Sequence, residues 1–97
     1  SKQDPTQKLE CSGTEPFWDF KFNKNRITGY DFSVVKHYNL PITARYANAS
    51  STLVVSGSFE ALIQKDSDCS DDMSDTIFTH RTSILLPNNT FLSGCCR

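Results

Sequence analysis

The chain reads as an all-β domain, a small antiparallel β-barrel of about seven or eight strands, stabilised by disulfides. Three observations predict this. Nine Thr, five Ile and four Val stand against four Ala and three Glu, an excess of β-branched over helix-forming residues. Short runs alternate apolar and polar residues with a period of two. Clusters of Asn, Ser, Pro and Gly punctuate those runs at hairpin spacing. Closure into a barrel removes sheet edges that a helix-poor chain of 97 residues could not cover.

The elements follow in order. In Phe17-Trp18-Asp19-Phe20-Lys21-Phe22, Trp18, Phe20 and Phe22 share one face and Asp19 and Lys21 the other, as a half-buried strand requires. Asn23-Lys24-Asn25 supplies a turn, and Arg26 to Phe32 is the returning strand, with Gly29 a bulge or bend. Ser33 to Tyr38 continues extended or begins a third strand, Leu40-Pro41 is a loop or edge entry because Pro has no N–H, and Thr43 to Ala47 is a strand. After the turn Asn48-Ala49-Ser50-Ser51, the runs Thr52 to Ser56 and Ser58 to Gln64 flank Gly57, read as a bulge within one long strand. The polar block Lys65 to Asp75 breaks the β pattern. Ser70-Asp71-Asp72-Met73 within it has the N-cap and acidic residues of one helical turn. Thr76 to Leu86 and Thr90 to Cys95 form the last hairpin around Pro87-Asn88-Asn89.

Length permits one domain and excludes a two-domain enzyme. Residues 1–10 read as a polar tether and 11–97 as the domain. Ten Lys and Arg against eleven Asp and Glu leave a net charge of −1, so no overall field draws the chain to nucleic acid or anionic lipid. No apolar run of membrane-spanning length occurs, and the chain reads as a mature, processed form. Its polar start would suit a lipid-anchored protein or an ordinary frayed terminus.

Cys11, Cys69, Cys95 and Cys96 lack the C-x-x-C and His spacings of a zinc site. Disulfides are the better reading, and they imply an oxidising compartment, periplasmic or secreted. Of three connectivities, the one joining Cys95 to Cys96 needs a vicinal ring between residues that point to opposite faces of a strand. Two long-range bridges remain, in either of two pairings.

The stretch Asp66 to Asp75 lacks the turn Gly and twelfth-position Glu of a Ca²⁺-binding EF-hand, and reads as a solvated acidic loop pinned by Cys69. His37 and His80 have no partner at a recognised catalytic spacing and read as surface or semi-buried strand residues. G-x-S-x-G, H-E-x-x-H and P-loop motifs are absent, so the sequence offers no enzyme machinery and implies no cofactor or metal. Phe17, Trp18, Phe20, Phe22, Tyr30 and Phe32 read as core, with Trp18 near a barrel mouth. Glu15, forced toward extended backbone by Pro16, either caps that end or orients a ligand there.

Cys11-Ser12-Gly13-Thr14-Glu15-Pro16-Phe17-Trp18, Cys69-Ser70-Asp71-Asp72-Met73-Ser74-Asp75 and Gly94-Cys95-Cys96 together resemble an uncharacterised family of bacterial envelope proteins and lipoproteins. Its signature is similar to G-x-E-P-F-W, C-x-D-x-M-S and a final G-C. The domain often accompanies META-type domains or domains similar to inhibitors of c-type lysozyme. The resemblance implies an envelope location, a small β-barrel and a binding role. It implies a bridge between Cys69 and Cys95, which leaves Cys11 and Cys96 for the second. The lysozyme inhibitors' own Ser and Lys signature is absent. Met73 would tuck under the acidic loop as an adaptable plug. The expected function is a monomeric, noncatalytic binding protein, with a lysozyme-like cell-wall hydrolase as the concrete protein partner and Glu15, Trp18, Asp71 and Met73 as candidate binding residues. The alternatives are a carrier of small hydrophobic ligands and an envelope-assembly accessory.

Overall fold

The computed structural model describes residues 8–97. It is all-β: β1 (Leu9–Gly13), β2 (Trp18–Phe22), β3 (Arg26–Asp31), β4 (Lys36–Pro41), β5 (Ala44–Ala47), β6 (Ser51–Ser56), β7 (Phe59–Lys65), β8 (His80–Leu85) and β9 (Phe91–Cys96). These nine strands form one antiparallel sheet in the order β4-β3-β2-β1-β9-β8-β7-β6-β5. The count is close to the seven or eight expected. Leu9 and Glu10, read from the sequence as part of the tether, belong to β1, and Leu9 is buried. The rest of the proposed tether, residues 1–7, lies outside the described residues.

Connectivity forces the sheet to curl into a half-barrel. β4 and β5 are its two edges, yet only Ile42 and Thr43 join them. Three residue steps span at most about 11 Å, so the edges must approach each other there. The Ile42 N–H donates to the Asn25 carbonyl at 2.8 Å on one side, and the Thr43 N–H to the Val55 carbonyl at 2.9 Å on the other. Ring contacts show the same curl. β2 and β7 are four positions apart in the sheet, about 19 Å if it were flat, but the centroids of Phe20 and Phe59 are 5.5 Å apart. The inner face is filled by Trp18, Phe20, Phe22, Ile27, Phe59 and Ile84, among others.

Three glycines make this packing fit. A Cβ at Gly13 or Gly94 would collide with the Trp18 indole, and one at Gly29 with the Phe20 ring. Gly29 is therefore no bulge; it pairs regularly with Phe20 and Tyr38 and leaves room for a ring. Gly57 is a turn residue. With φ +58 it opens the two-residue hairpin Gly57-Ser58 between β6 and β7, where a first central glycine with positive φ matches the twist of the strands. Pro41 is the last residue of the edge strand β4, where a missing donor costs no ladder bond. Pro87-Asn88-Asn89 forms the expected turn, with Asn89 at φ 70.

Other expectations are corrected. Ser33 to Val35 is a turn, and β4 starts at Lys36. Thr76 to Thr79 precedes β8 instead of belonging to it, and no helical turn forms at Ser70 to Met73. The side chains there bond to local backbone instead: Ser70 Oγ accepts from the Asp72 N–H, and Asp71 Oδ1 from the N–H groups of Met73 and Ser74. Phe17 and Phe32 are half exposed and Tyr30 is only partly buried, so only Trp18, Phe20 and Phe22 of the expected aromatic core are fully inside.

Cys11 bonds to Cys96 and Cys69 to Cys95. Glu10 and Arg97 exchange backbone hydrogen bonds of 2.9 Å, which makes Cys11 and Cys96 the adjacent, closer type of cross-strand pair, with Cα atoms 4.0 Å apart. Their bridge lies in the core, whereas Cys95 faces outward and anchors the loop before β8.

Two substitutions test this packing. Val35, 74% exposed, has φ 53, a left-handed conformation costly for a β-branched residue. Val35→Gly should raise stability by about 0.5–1 kcal/mol after glycine's own entropic cost. Gly94→Ala should lower it by about 1–3 kcal/mol through overpacking against the Ser12 carbonyl of β1 and the Trp18 ring. Urea unfolding midpoints measure both.

Candidate functional site

The largest departure from hairpin economy is the fourteen-residue connection between β7 and β8, Asp66 to Thr79. Its base is closed by the Asp66 N–H donating to the Thr79 carbonyl and the Thr79 N–H to the Cys96 carbonyl, both at 2.9 Å. Cys69 ties its first part to Cys95 on the outer face of β9, and buried Phe78 packs its last part down. Between these anchors, from Ser70 to Thr76, the described hydrogen bonds stay inside the loop.

This segment concentrates charge and exposed apolar surface. Asp66, Asp68, Asp71, Asp72 and Asp75 are accompanied by no Lys or Arg up to Thr79. The N–H groups of Met73 and Ser74 hold the Asp71 carboxyl below its ordinary pKa and keep it anionic, so Asp71 shapes the loop as well as charging it. Asp66 is 3.9 Å from Arg81 at the loop base. Met73 is 67% exposed, not tucked under the loop as expected. With polar Asp and Ser on both sides and its backbone held in the Asp71 turn, it projects to solvent. Ile77 is exposed as well. Carboxylates, hydroxyls and two apolar side chains on one anchored loop suit noncovalent recognition of a cationic surface.

The other candidate residues lie elsewhere. Glu15 is exposed in the β1–β2 connection, where the Glu15–Pro16 peptide is cis and φ of Glu15 is 62, not the extended value expected from a following Pro. The four residues between Gly13 and Trp18 must reverse the chain, and this constraint overrides the local preference. Trp18 is 2% exposed, packed over Gly13 and Gly94 and against Phe20 at 5.8 Å; it lines no open mouth. Gly13, Gly94 and this tryptophan form a packing unit. No cluster of three or more His, Cys, Asp or Glu side chains able to hold a metal ion occurs among the described residues.

Two features went unread in the sequence. Asp31 is fully buried: its Oδ1 accepts from the N–H and hydroxyl of Ser33, while Oδ2 has no hydrogen-bond partner among the described residues. Burial, and secondly the Asp31 charge, raise the pKa of Tyr38. Phe17, Phe32, Val34 and Val35 make an exposed apolar tip. Inspection of Val34-Val35 between two strand patterns could have found this tip, because turns rarely carry paired β-branched residues.

Comparison with known proteins returns no match. No family model, curated protein or solved structure matches the chain.

His37 is exposed and packs on Tyr30, with ring centroids 4.2 Å apart, whereas His80 is buried more deeply than expected. Burial first, and then Lys65, lower the pKa of His80 from 6.5, and its Nδ1 is 2.7 Å from the Thr79 hydroxyl. The folded state thus binds protons less readily than the unfolded one. Stability should be fully present above pH 6.5 and fall as the pH drops through the lowered folded-state value. His80→Gln should flatten that slope in unfolding measurements between pH 8 and 5, and an unchanged slope would place the titration elsewhere.

Proposed function

We propose that this protein is a noncatalytic binding module of the bacterial envelope that recognises a protein partner through the Cys69-anchored acidic loop. The carrying observation is that loop itself: acidic side chains and exposed Met73 and Ile77 are presented together and fastened covalently to a rigid sheet. Anchoring limits the conformational freedom lost on binding, which favours affinity. Its charge selects a cationic partner and steers encounter.

A lysozyme-like cell-wall hydrolase is the concrete partner. The motifs of the loop and of Gly13 to Trp18 support this choice through their resemblance to envelope proteins found beside lysozyme-inhibitor-like domains. Two disulfides agree with a periplasmic or secreted location. The protein acts as a monomer in this reading, and any membrane attachment is through an N-terminal lipid.

Oxidised protein should bind and inhibit at least one of the c-, g- and i-type lysozymes at micromolar concentration in calorimetry and turbidity assays. Replacing both Asp72 and Asp75 with Asn should weaken binding by about 3- to 10-fold at low salt, and less as salt rises. Absence of binding to all three classes would end the hydrolase version.

A further inference from the structure

The two disulfides differ in what a reagent can reach and in what depends on them. Cys11 and Cys96 are within the core, at 1% and 0% exposure, and join β1 to β9 in the middle of the sheet. Cys69 is only partly buried. Its bond to Cys95 borders a surface groove lined by Asp66, Ser70, Arg81 and Ser93. Arg81 is paired with Cys95 in the β8–β9 register, which puts a cationic side chain on the same face as the Cys95 sulfur. That cation is shared with Asp66, 3.9 Å away, so it is accessibility that sets this bond apart from the Cys11–Cys96 bridge.

We infer that the Cys69–Cys95 bond is a site of thiol–disulfide exchange with an external dithiol, reducible while the Cys11–Cys96 bridge and the half-barrel stay intact, and that its reduction releases the acidic loop. A thiolate of the dithiol attacks Sγ of Cys69, the more accessible sulfur. The Cys69–Cys95 bond breaks, and Cys95 leaves as a thiolate that takes up a proton. The second thiol of the reagent then attacks its own sulfur in the mixed disulfide. Cys69 departs as a thiolate and takes the second proton, and the reagent leaves as a disulfide. Two electrons and two protons have passed from the dithiol to the protein.

The reaction stops there because the Cys11–Cys96 sulfurs are buried from the reagent, and strand geometry bars the internal route. Adjacent residues of β9 point to opposite faces, so the freed Cys95 thiol is separated by the sheet from the Cys11–Cys96 sulfurs. The ladders β1–β9 and β8–β9 do not depend on the broken bond. The loop does, since its hydrogen bonds from Ser70 to Thr76 are internal and, among the described residues, its base and Phe78 are what remains attached.

The order of reduction is independent of any partner; only its consequence for binding rests on the proposed function. Protein is equilibrated with increasing dithiothreitol, blocked with iodoacetamide and mapped by mass spectrometry. The expected intermediate carries label on Cys69 and Cys95 with Cys11–Cys96 intact, and is the main species before full reduction. Its Trp18 emission and far-ultraviolet dichroism match those of the oxidised protein, and protease cuts between Asp66 and Thr79 at least tenfold faster. The double variant Cys69→Ser with Cys95→Ser should show the same emission and the same cleavage without reductant. Labelling of Cys11 and Cys96 first or in step, exposure of Trp18 on loss of the first bridge, or failure of the double variant to fold would each overturn the inference. Intact labelling order with unchanged lysozyme binding would count against the proposed function alone.

Discussion

Every other part of the fold depends on the ladder between β1 and β9. All remaining strand pairs among the described residues join consecutive strands through short connections or the acidic loop, so their closure costs little chain entropy. The β1–β9 pair alone brings together residues 85 apart. Without it the chain would be two separate meanders, β1–β4 and β5–β9, joined by Ile42-Thr43. The Cys11–Cys96 bridge stands in that ladder, where a cross-link removes the most unfolded-state freedom, about 4.5 kcal/mol in the chain-entropy account against about 3.5 for Cys69–Cys95.

Closure also sets the packing around it. The ladder places Gly94 of β9 beside β1, where its missing side chain leaves room for the Trp18 ring over Gly13. A large aromatic thus covers the seam between the first and last strands. From there Phe20 reaches Phe59 and Tyr38 at 5.5 Å, so the ring chain that begins at the terminal ladder also joins the two halves of the curled sheet. The motif residues Gly13, Trp18 and Gly94 are explained by this packing without a ligand.

Strands were legible where alternation was strict, as in Trp18-Asp19-Phe20-Lys21-Phe22. Sequence distinguished less well between structures that share a residue type. A glycine between β-runs reads equally as bulge, turn or ring seat, and Gly57 and Gly29 took the second and third of these roles because of partners distant in sequence. Pro41 closes a strand because β4 is an edge, a fact of topology and not of local preference. For the candidate site, the acidic loop and its Cys69 anchor were legible from composition. The exposure of Met73 was not, because a lone apolar residue in a polar loop carries no periodicity to reveal the side it faces. Val34-Val35 was legible as an unusual pair for a turn, but the left-handed backbone of Val35 was not, because β-branched residues rarely adopt it.

The adjacent cysteines resolve a difficulty set by size. A fourteen-residue polar loop buries little apolar surface of its own, so in a chain of 97 residues it is held to the curled sheet by other means. Because successive residues of a strand face opposite sides, Cys96 can staple the core while Cys95, one residue earlier, holds the loop on the outer surface. The interior is filled by Phe20, Phe22, Phe59 and Ile84 at essentially zero exposure, so the loop lies on the surface of a packed core. The loop has the least other support there, since Phe78 is its one deeply buried apolar side chain. Its attachment through Cys69 therefore governs how the loop is presented, while the stability of the sheet rests on the bridge beside it.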